Sequence, residues 1–290
     1  MSEPVMGLIA GGGRLPVLEA RGMREAGYRV ACVGLLGQHD PDLAEHCDSF
    51  AVAGVLSLGR WARVLRRRGA SQAVMVGRVA KSQLMYHPPR WLTQLPSWRA
   101  LRIFLWDCRH NRRSQHLLRA LANEMETLGI ELIDTTQYIP EHLATPGQLT
   151  QIQPSAGQRR DIDFGWPVLM RMNDLDIGQT IAVKDSDVVA VEAMEGTDRM
   201  IARAGELCRK PGWVMLKGAP ASKDPRFDVP TVGEQTIANL AAAGAGCLAI
   251  AADRVILVDK PKVLAAADAA GIAMVGVPTS GEDAQLGTSP

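Results

Sequence analysis

The sequence predicts an α/β protein, with a parallel sheet in its first half and mixed strands and helices in its second. Three observations predict this. Short continuous apolar runs alternate with helical patterns from Val5 to Ile133, which is how strands buried on both faces by crossover helices read. The pattern changes after Pro140 to Pro154, a stretch with three prolines and one glycine, the best linker candidate. A chain of 290 residues that is 47% hydrophobic suffices for two cores of roughly 140 residues each.

In order, Val5 to Ala10 is a strand ending in Gly11-Gly12-Gly13, and Leu15 to Ala26 is a helix. Strands follow at Arg29 to Leu35 and Ser49 to Val52, then a helix at Leu58 to Arg68 and a strand at Gln72 to Val76. A long helical stretch, Ser97 to Leu128, precedes a last strand at Ile130 to Ile133. Beyond the linker, a helix near Asp161 to Met172 leads to alternating strands at Thr180 to Val183 and Val188 to Ala193. Lys184-Asp185-Ser186-Asp187 joins them as a hairpin-like turn. Helices at Thr197 to Cys208, Val232 to Ala243 and Lys262 to Ala270 alternate with strands at Trp213 to Lys217, Ala249 to Ile250, Val255 to Val258 and Ala273 to Val277.

The formal net charge of +1 argues against a nucleic-acid partner, since such binders carry a basic excess. Five cysteines lie scattered with no C-x-x-C pair, so no zinc site or disulfide framework is expected. The N-terminus is too short and too acidic for a signal peptide, and no run approaches the ~20 apolar residues that span a bilayer. A cytoplasmic protein is expected, with peripheral contact to an inner membrane left open. Arg66-Arg67-Arg68 and Arg109, Arg112, Arg113 and Arg119 are a solvated face, or a contact for anionic lipid headgroups or ligand phosphates. Trp91, Trp98, Phe104 and Trp106 are core or interface anchors, or a pocket for acyl chains.

Ligands of parallel sheets bind beyond the carboxyl ends of the strands, where Gly11, Gly12, Gly13 and Gly77 fall. The triple glycine lets backbone approach a phosphate and offers amides at a helix N-terminus; a tight turn is the alternative. Pro16 stands where G-x-G-x-x-G needs its third glycine, and no acid caps the second strand, so a redox dinucleotide is not expected. Acidic and basic groups gather around Gly and Pro turns in Leu175 to Gln179, Val191 to Asp198 and Lys223 to Gly233, which suits a site holding a hard cation and a phosphate together. Gln179 can hydrogen-bond a base, a sugar or an amide; Asp176 can be a turn former. Gly196 and Thr197 can donate to a phosphate with Glu195 or Asp198 facing a metal, or Thr197 or Asp198 can simply cap a helix. Asp224, Arg226 and Asp228 alternate, so an extended backbone would turn all three to one face, as a ligand set or as an ion-pair ladder.

At these residues the chain resembles the LpxI family of UDP-2,3-diacylglucosamine diphosphatases of lipid A biosynthesis. The likeness begins at Gly7-Leu-Ile-Ala-Gly-Gly-Gly-Arg-Leu-Pro16 and is strongest through Leu175 to Asp198 and Arg226 to Gly233. It implies a Rossmann-like N-terminal domain (1–143) and a mixed α/β catalytic domain peculiar to the family (151–290), with a lipid-linked UDP-sugar bound between them. It implies Mg²⁺-dependent hydrolysis of the pyrophosphate, with Asp228 matching the family's essential aspartate. Asp228 is then expected to hold Mg²⁺, alone or with Asp224 or Asp198. Arg226 and Lys217 would neutralise charge on the phosphoryl group, and Gly11 to Gly13, Gly196 and Thr197 would hold the rest. A homodimer is compatible with the resemblance. The chain departs from the family at Lys223-Asp224-Pro225, Asn111-Arg112-Arg113 and Gly77-Arg78-Val79. A binding protein without catalysis and a hydrolase of another nucleotide-diphosphate sugar are the other readings.

Overall fold

A computed structural model describes residues 3–79, 114–219, 224–227 and 229–279. The chain divides into two compact units. The first takes Met1–Ile139 and, from far along the chain, residues 224–227; the second takes Pro140–Lys223 and Val229–Pro290.

The first unit is the expected parallel sheet. Strands β1 (Val5–Ala10), β2 (Arg29–Leu35), β3 (Ser49–Ala53), β4 (Gln72–Val76) and β5 (Glu131–Leu132) lie in the order β3-β2-β1-β4-β5, and every pairing is parallel. That is the Rossmann order, with β1 central. Side chains alternate along β1. Met6, Leu8 and Ala10 share one core with Val17, Ala20 and Met23 of helix α1 (Leu15–Glu25). Ile9 faces a second core with Trp61, Ala62 and Leu65 of helix α2 (Leu58–Arg67). The spacing of Leu58, Trp61, Ala62 and Leu65 puts them on one helical stripe. Helix α1 ends where Gly27 turns left-handed (φ +86°) and Tyr28 N–H donates back to the Met23 carbonyl, a closure that Gly makes cheaply.

Helix α3 (Ser114–Thr127) packs in the α2 core through Ala122 and Met125. The earlier part of the expected Ser97 to Leu128 helix lies outside the described residues, as do Trp91, Trp98, Phe104, Trp106, Arg109, Arg112 and Arg113.

The second unit is a mixed sheet. Strands β6 (Gly147–Gln148), β7 (Thr180–Lys184), β8 (Asp187–Val191), β9 (Trp213–Lys217), β11 (Ala245–Ala251) and β13 (Ala273–Val277) run in the order β6-β13-β11-β9-β7-β8. The centre, β13-β11-β9, is parallel, while β6, β7 and β8 are antiparallel to their neighbours. Strands β10 (Thr231–Val232) and β12 (Ile256–Leu257) pair separately. Helices α4 (Ala156–Asp174), α5 (Thr197–Leu207), α6 (Glu234–Ala242) and α7 (Lys260–Ala269) complete it.

Helix α4 begins before Asp161 because Ser155 and Gln158 form a reciprocal capping box. It lies close to the sheet because Gly165 has no side chain: a Cβ there would sit 2.3 Å from Leu216 Cδ1. The β7–β8 turn is the expected hairpin, with Asp185 and Ser186 both at positive φ and Ser186 N–H donating to the buried Asp161 carboxylate at 2.7 Å.

Pro140 to Pro154 is not a linker. It carries β6, its Leu143 bridges Ile256, and Ala144 N–H donates to the Val255 carbonyl at 2.9 Å. Proline is compatible with such a short edge strand.

Candidate functional site

In the first unit, the glycines predicted from sequence meet at the carboxyl ends of β1 and β4. Gly12 and Arg78 exchange backbone hydrogen bonds at 2.9 and 2.8 Å, and Gly11 N–H donates to the Val76 carbonyl at 2.8 Å. The two loops approach so closely that a Cβ on Gly11 would lie 2.7 Å from the Arg78 carbonyl oxygen and one on Gly77 2.7 Å from Gly11 C. Gly77 also holds φ +98°, a conformation glycine adopts without penalty. The amides of Gly11 and Gly12 are therefore consumed by the chain itself. Gly13, Arg14 and Leu15 N–H groups, at the entrance to α1, have no partner among the described residues. The exposed Arg78 guanidinium stands over Gly13, its Nε 3.6 Å from the position a Cβ would take. Arg78, which the sequence places at a strand's carboxyl end beside Gly77, adds charge where the helix dipole already favours an anion.

The second unit brings Gln179, Thr197 and Lys217 to one end of the β7–β9 pair. Lys217 ends the fully buried strand β9 and is itself 3% exposed. Its Nζ donates to Thr197 Oγ1 at 3.2 Å, and the Thr197 hydroxyl donates to Glu192 Oε1 at 2.8 Å. A charge this deep needs partners. Backbone supports the arrangement: Gly218 N–H donates to the Gln179 carbonyl at 2.9 Å and Glu192 N–H to that of Thr180 at 2.9 Å. Gly178 has to be glycine, because a Cβ would lie 2.0 Å from the Glu192 carbonyl oxygen. Glu192 Oε2, Thr180 Oγ1 and both amide atoms of Asn173 are buried without a hydrogen-bond partner, in a place where buried polar atoms are normally satisfied. Glu192, Thr180 and Asn173 were not predicted as site residues. The available signal was parity: Glu192, just past the end of β8, falls two residues beyond the buried Ala190.

The open readings around Gly196 resolve locally. Gly196, at φ +86°, is the N-cap of α5, and no side chain caps the helix. Thr197 thus uses its hydroxyl on Glu192, and Asp198 Oδ1 accepts from Asn239 at 2.9 Å beside a groove lined by Ile201, Gly205 and Ala242. Glu195 is engaged locally: Ala193 N–H donates to Oε2 at 3.1 Å and Arg203 to Oε1 at 2.8 Å. Backbone N–H groups, its own first, hold its carboxyl below the usual range. Asp176, at φ +57°, closes α4 as a turn former, with Ile177 N–H reaching the Met172 carbonyl.

Residues 224–227 cluster with the first unit rather than with the rest of the expected 151–290 domain. Phe227, 4% exposed, is buried in the α2–α3 core. The Pro225 carbonyl accepts from both the N–H and the hydroxyl of Thr135, at 3.1 and 3.0 Å. The segment is not extended, because Phe227 N–H closes a turn on the Asp224 carbonyl at 3.1 Å. The expected one-face alternation therefore does not arise for Asp224 and Arg226, and Asp228 lies outside the described residues. Arg226 instead clasps Asp224, Nε to Oδ1 at 2.9 Å and Nη2 to Oδ2 at 2.7 Å. Those bonds hold the Asp224 carboxyl below its ordinary range.

The carboxylates expected to face a metal have protein partners where the structure describes them. Both Asp224 oxygens are taken by Arg226, Asp198 faces Asn239, and no group of three or more His, Cys, Asp or Glu among the described residues is placed to hold a metal. No described helix is long and apolar enough to cross a membrane.

Two family models divide the chain as its sheets do: the LpxI N-terminal domain matches residues 5–142 and the LpxI C-terminal domain residues 145–275. The chain belongs to the LpxI family. A curated relative, UDP-2,3-diacylglucosamine pyrophosphatase LpxI of Caulobacter vibrioides, is 32% identical over 281 residues, spanning 94% of this chain and 97% of the relative. Among solved structures, the biotin carboxylase domain of Hydrogenobacter thermophilus 2-oxoglutarate carboxylase is similar at 14% identity and a TM-score of 0.25, over 63% of this chain and 35% of that one. That likeness is too slight to carry any argument about function.

Proposed function

We propose that this LpxI-family chain hydrolyses the pyrophosphate of UDP-2,3-diacylglucosamine, giving UMP and 2,3-diacylglucosamine 1-phosphate in lipid A biosynthesis. The observation that carries the reading is the likeness, along nearly the full length of both chains, to a relative of that activity. The geometry supports it. A pyrophosphate needs fixed positive charge and donors aimed at its oxygens. Lys217 offers a buried ammonium beside Thr197, at the N-terminus of α5, where the dipole favours phosphate. Arg78 and the amides of Gly13 to Leu15 offer a separate anion-binding surface in the first unit. Gln179 remains the proposed contact for a polar substrate group.

Asp228 is the proposed catalytic carboxylate and holder of Mg²⁺, a role that rests on the family motif alone. Asp224 is proposed to serve through Arg226, which its two oxygens clasp.

Purified protein given UDP-2,3-diacylglucosamine should release UMP, EDTA should suppress the release and Mg²⁺ restore it. Asp228→Ala should lower turnover at least about 1,000-fold with an unchanged melting temperature. Full activity in Asp228→Ala, or no UMP from the wild type, refutes the assignment.

A further inference from the structure

We propose that Glu192 is a positioning residue for this reaction, holding the Thr197 hydroxyl and, through it, the Lys217 ammonium in the orientation that meets the pyrophosphate. The inference rests on the function proposed above and extends it to a residue with no proposed substrate contact of its own.

The direction of the relay follows from proton count. A hydroxyl has one hydrogen. The Thr197 hydroxyl gives its hydrogen to Glu192 Oε1 at 2.8 Å, so toward Lys217, 3.2 Å away, it can only accept. Remove the carboxylate and nothing fixes the hydroxyl hydrogen, so the Thr197 lone pair that aims one of Lys217's three N–H bonds is no longer held toward it. The site is also built at a cost. Glu192 is 6% exposed and its Oε2 has no hydrogen-bond partner, nor has the hydroxyl of Thr180, which pairs with Lys217 across β7 and β9. A half-satisfied buried carboxylate detracts from folding, and a merely structural position would be better filled by an apolar side chain. A carboxylate fixed beside the hydroxyl that orients a buried ammonium instead fits preorganisation of charge before the substrate arrives.

The experiment is steady-state UMP release by Glu192→Ala and Glu192→Gln, alone and in a Lys217→Met background. Glu192→Ala should lower kcat at least about 30-fold with KM within about three-fold, since the aim of Lys217 matters most as charge builds in the transition state. Glu192→Gln, which keeps an oxygen acceptor, should hold kcat within about five-fold. In Lys217→Met, adding Glu192→Ala should change kcat by less than about two-fold, because the two act as one unit. A wild-type kcat in Glu192→Ala, a loss in Gln as deep as in Ala, or an undiminished loss in the Lys217→Met background overturns the proposal. Should Glu192→Ala fail to fold, Thr197→Val cuts the relay while keeping the carboxylate, and a wild-type kcat there overturns it equally. A wild type that releases no UMP defeats the proposed function itself; an active wild type with an indifferent Glu192 defeats only this inference.

Discussion

The proposed anion-binding surfaces of the two units are made of different materials. In the first, the surface is backbone: Gly11, Gly12 and Gly77 bring two loops within van der Waals contact, and the useful donors are amides plus the exposed Arg78. In the second, it is side chain: buried Lys217 and Glu192 are joined through Thr197 near one end of the β7–β9 pair. A backbone surface tolerates no added atom but needs no charge of its own. A side-chain surface carries charge into low dielectric, where it acts strongly and must be held by partners. The first is accordingly sensitive to volume and the second to chemistry.

Three substitutions test that contrast. The largest effect on folding is expected from Gly77→Ala. It places a Cβ 2.7 Å from Gly11 C at φ +98°, which strains both loops and should cost about 3 kcal/mol. Urea unfolding measures it, and a cost under about 1 kcal/mol would mean that the crossing is not rigid. Lys217→Met comes next and is chemical. It should lower kcat about 100-fold, the scale of losing one oriented donor, while leaving the first unit's folding untouched; loss of the fold instead would make Lys217 a structural cation.

The smallest effect is expected at Asp224, whose ion pair with Arg226 is part-exposed (15% and 34%). Asp224→Asn should cost about 1 kcal/mol near neutrality. The folded carboxyl titrates lower than an ordinary aspartate, so its contribution is present above about pH 4 and fades as pH falls through the depressed value. Unfolding midpoints of wild type and Asp224→Asn should therefore converge in acid. If they stay apart, the pair is not the source of the stability.

Much of the architecture was legible. Val5 to Ala10 and Gln72 to Val76 read as strands because continuous apolar runs bounded by glycine have few other fates. Lys184-Asp185-Ser186-Asp187 read as a hairpin turn because Asp and Ser tolerate positive φ. The Pro140 to Pro154 stretch misled, since proline and glycine mark edge strands as well as linkers. The alternation misled too for Asp224 and Arg226: it implies one face only if the backbone is extended, and the Phe227-to-Asp224 hydrogen bond bends it. In sequence Glu192 is one acid among several between Val191 and Asp198, because burial, not residue type, distinguishes it.

The sequence by itself determined the α/β class, the separation into two sheets, the glycine crossing as a place of interest and the family. These are local or pattern properties: apolar period, turn chemistry and motif spacing are written in consecutive residues. The tertiary structure decided which partners those residues acquire. It spent the Gly11 and Gly12 amides on Val76 and Arg78, clasped Asp224 to Arg226, placed Phe227 in the first unit's core, and joined Lys217 to Glu192 through Thr197. Each of those outcomes depends on hydrogen-bond partners and burial, most of them supplied by segments distant in sequence, and one chain read in order does not record who those partners are.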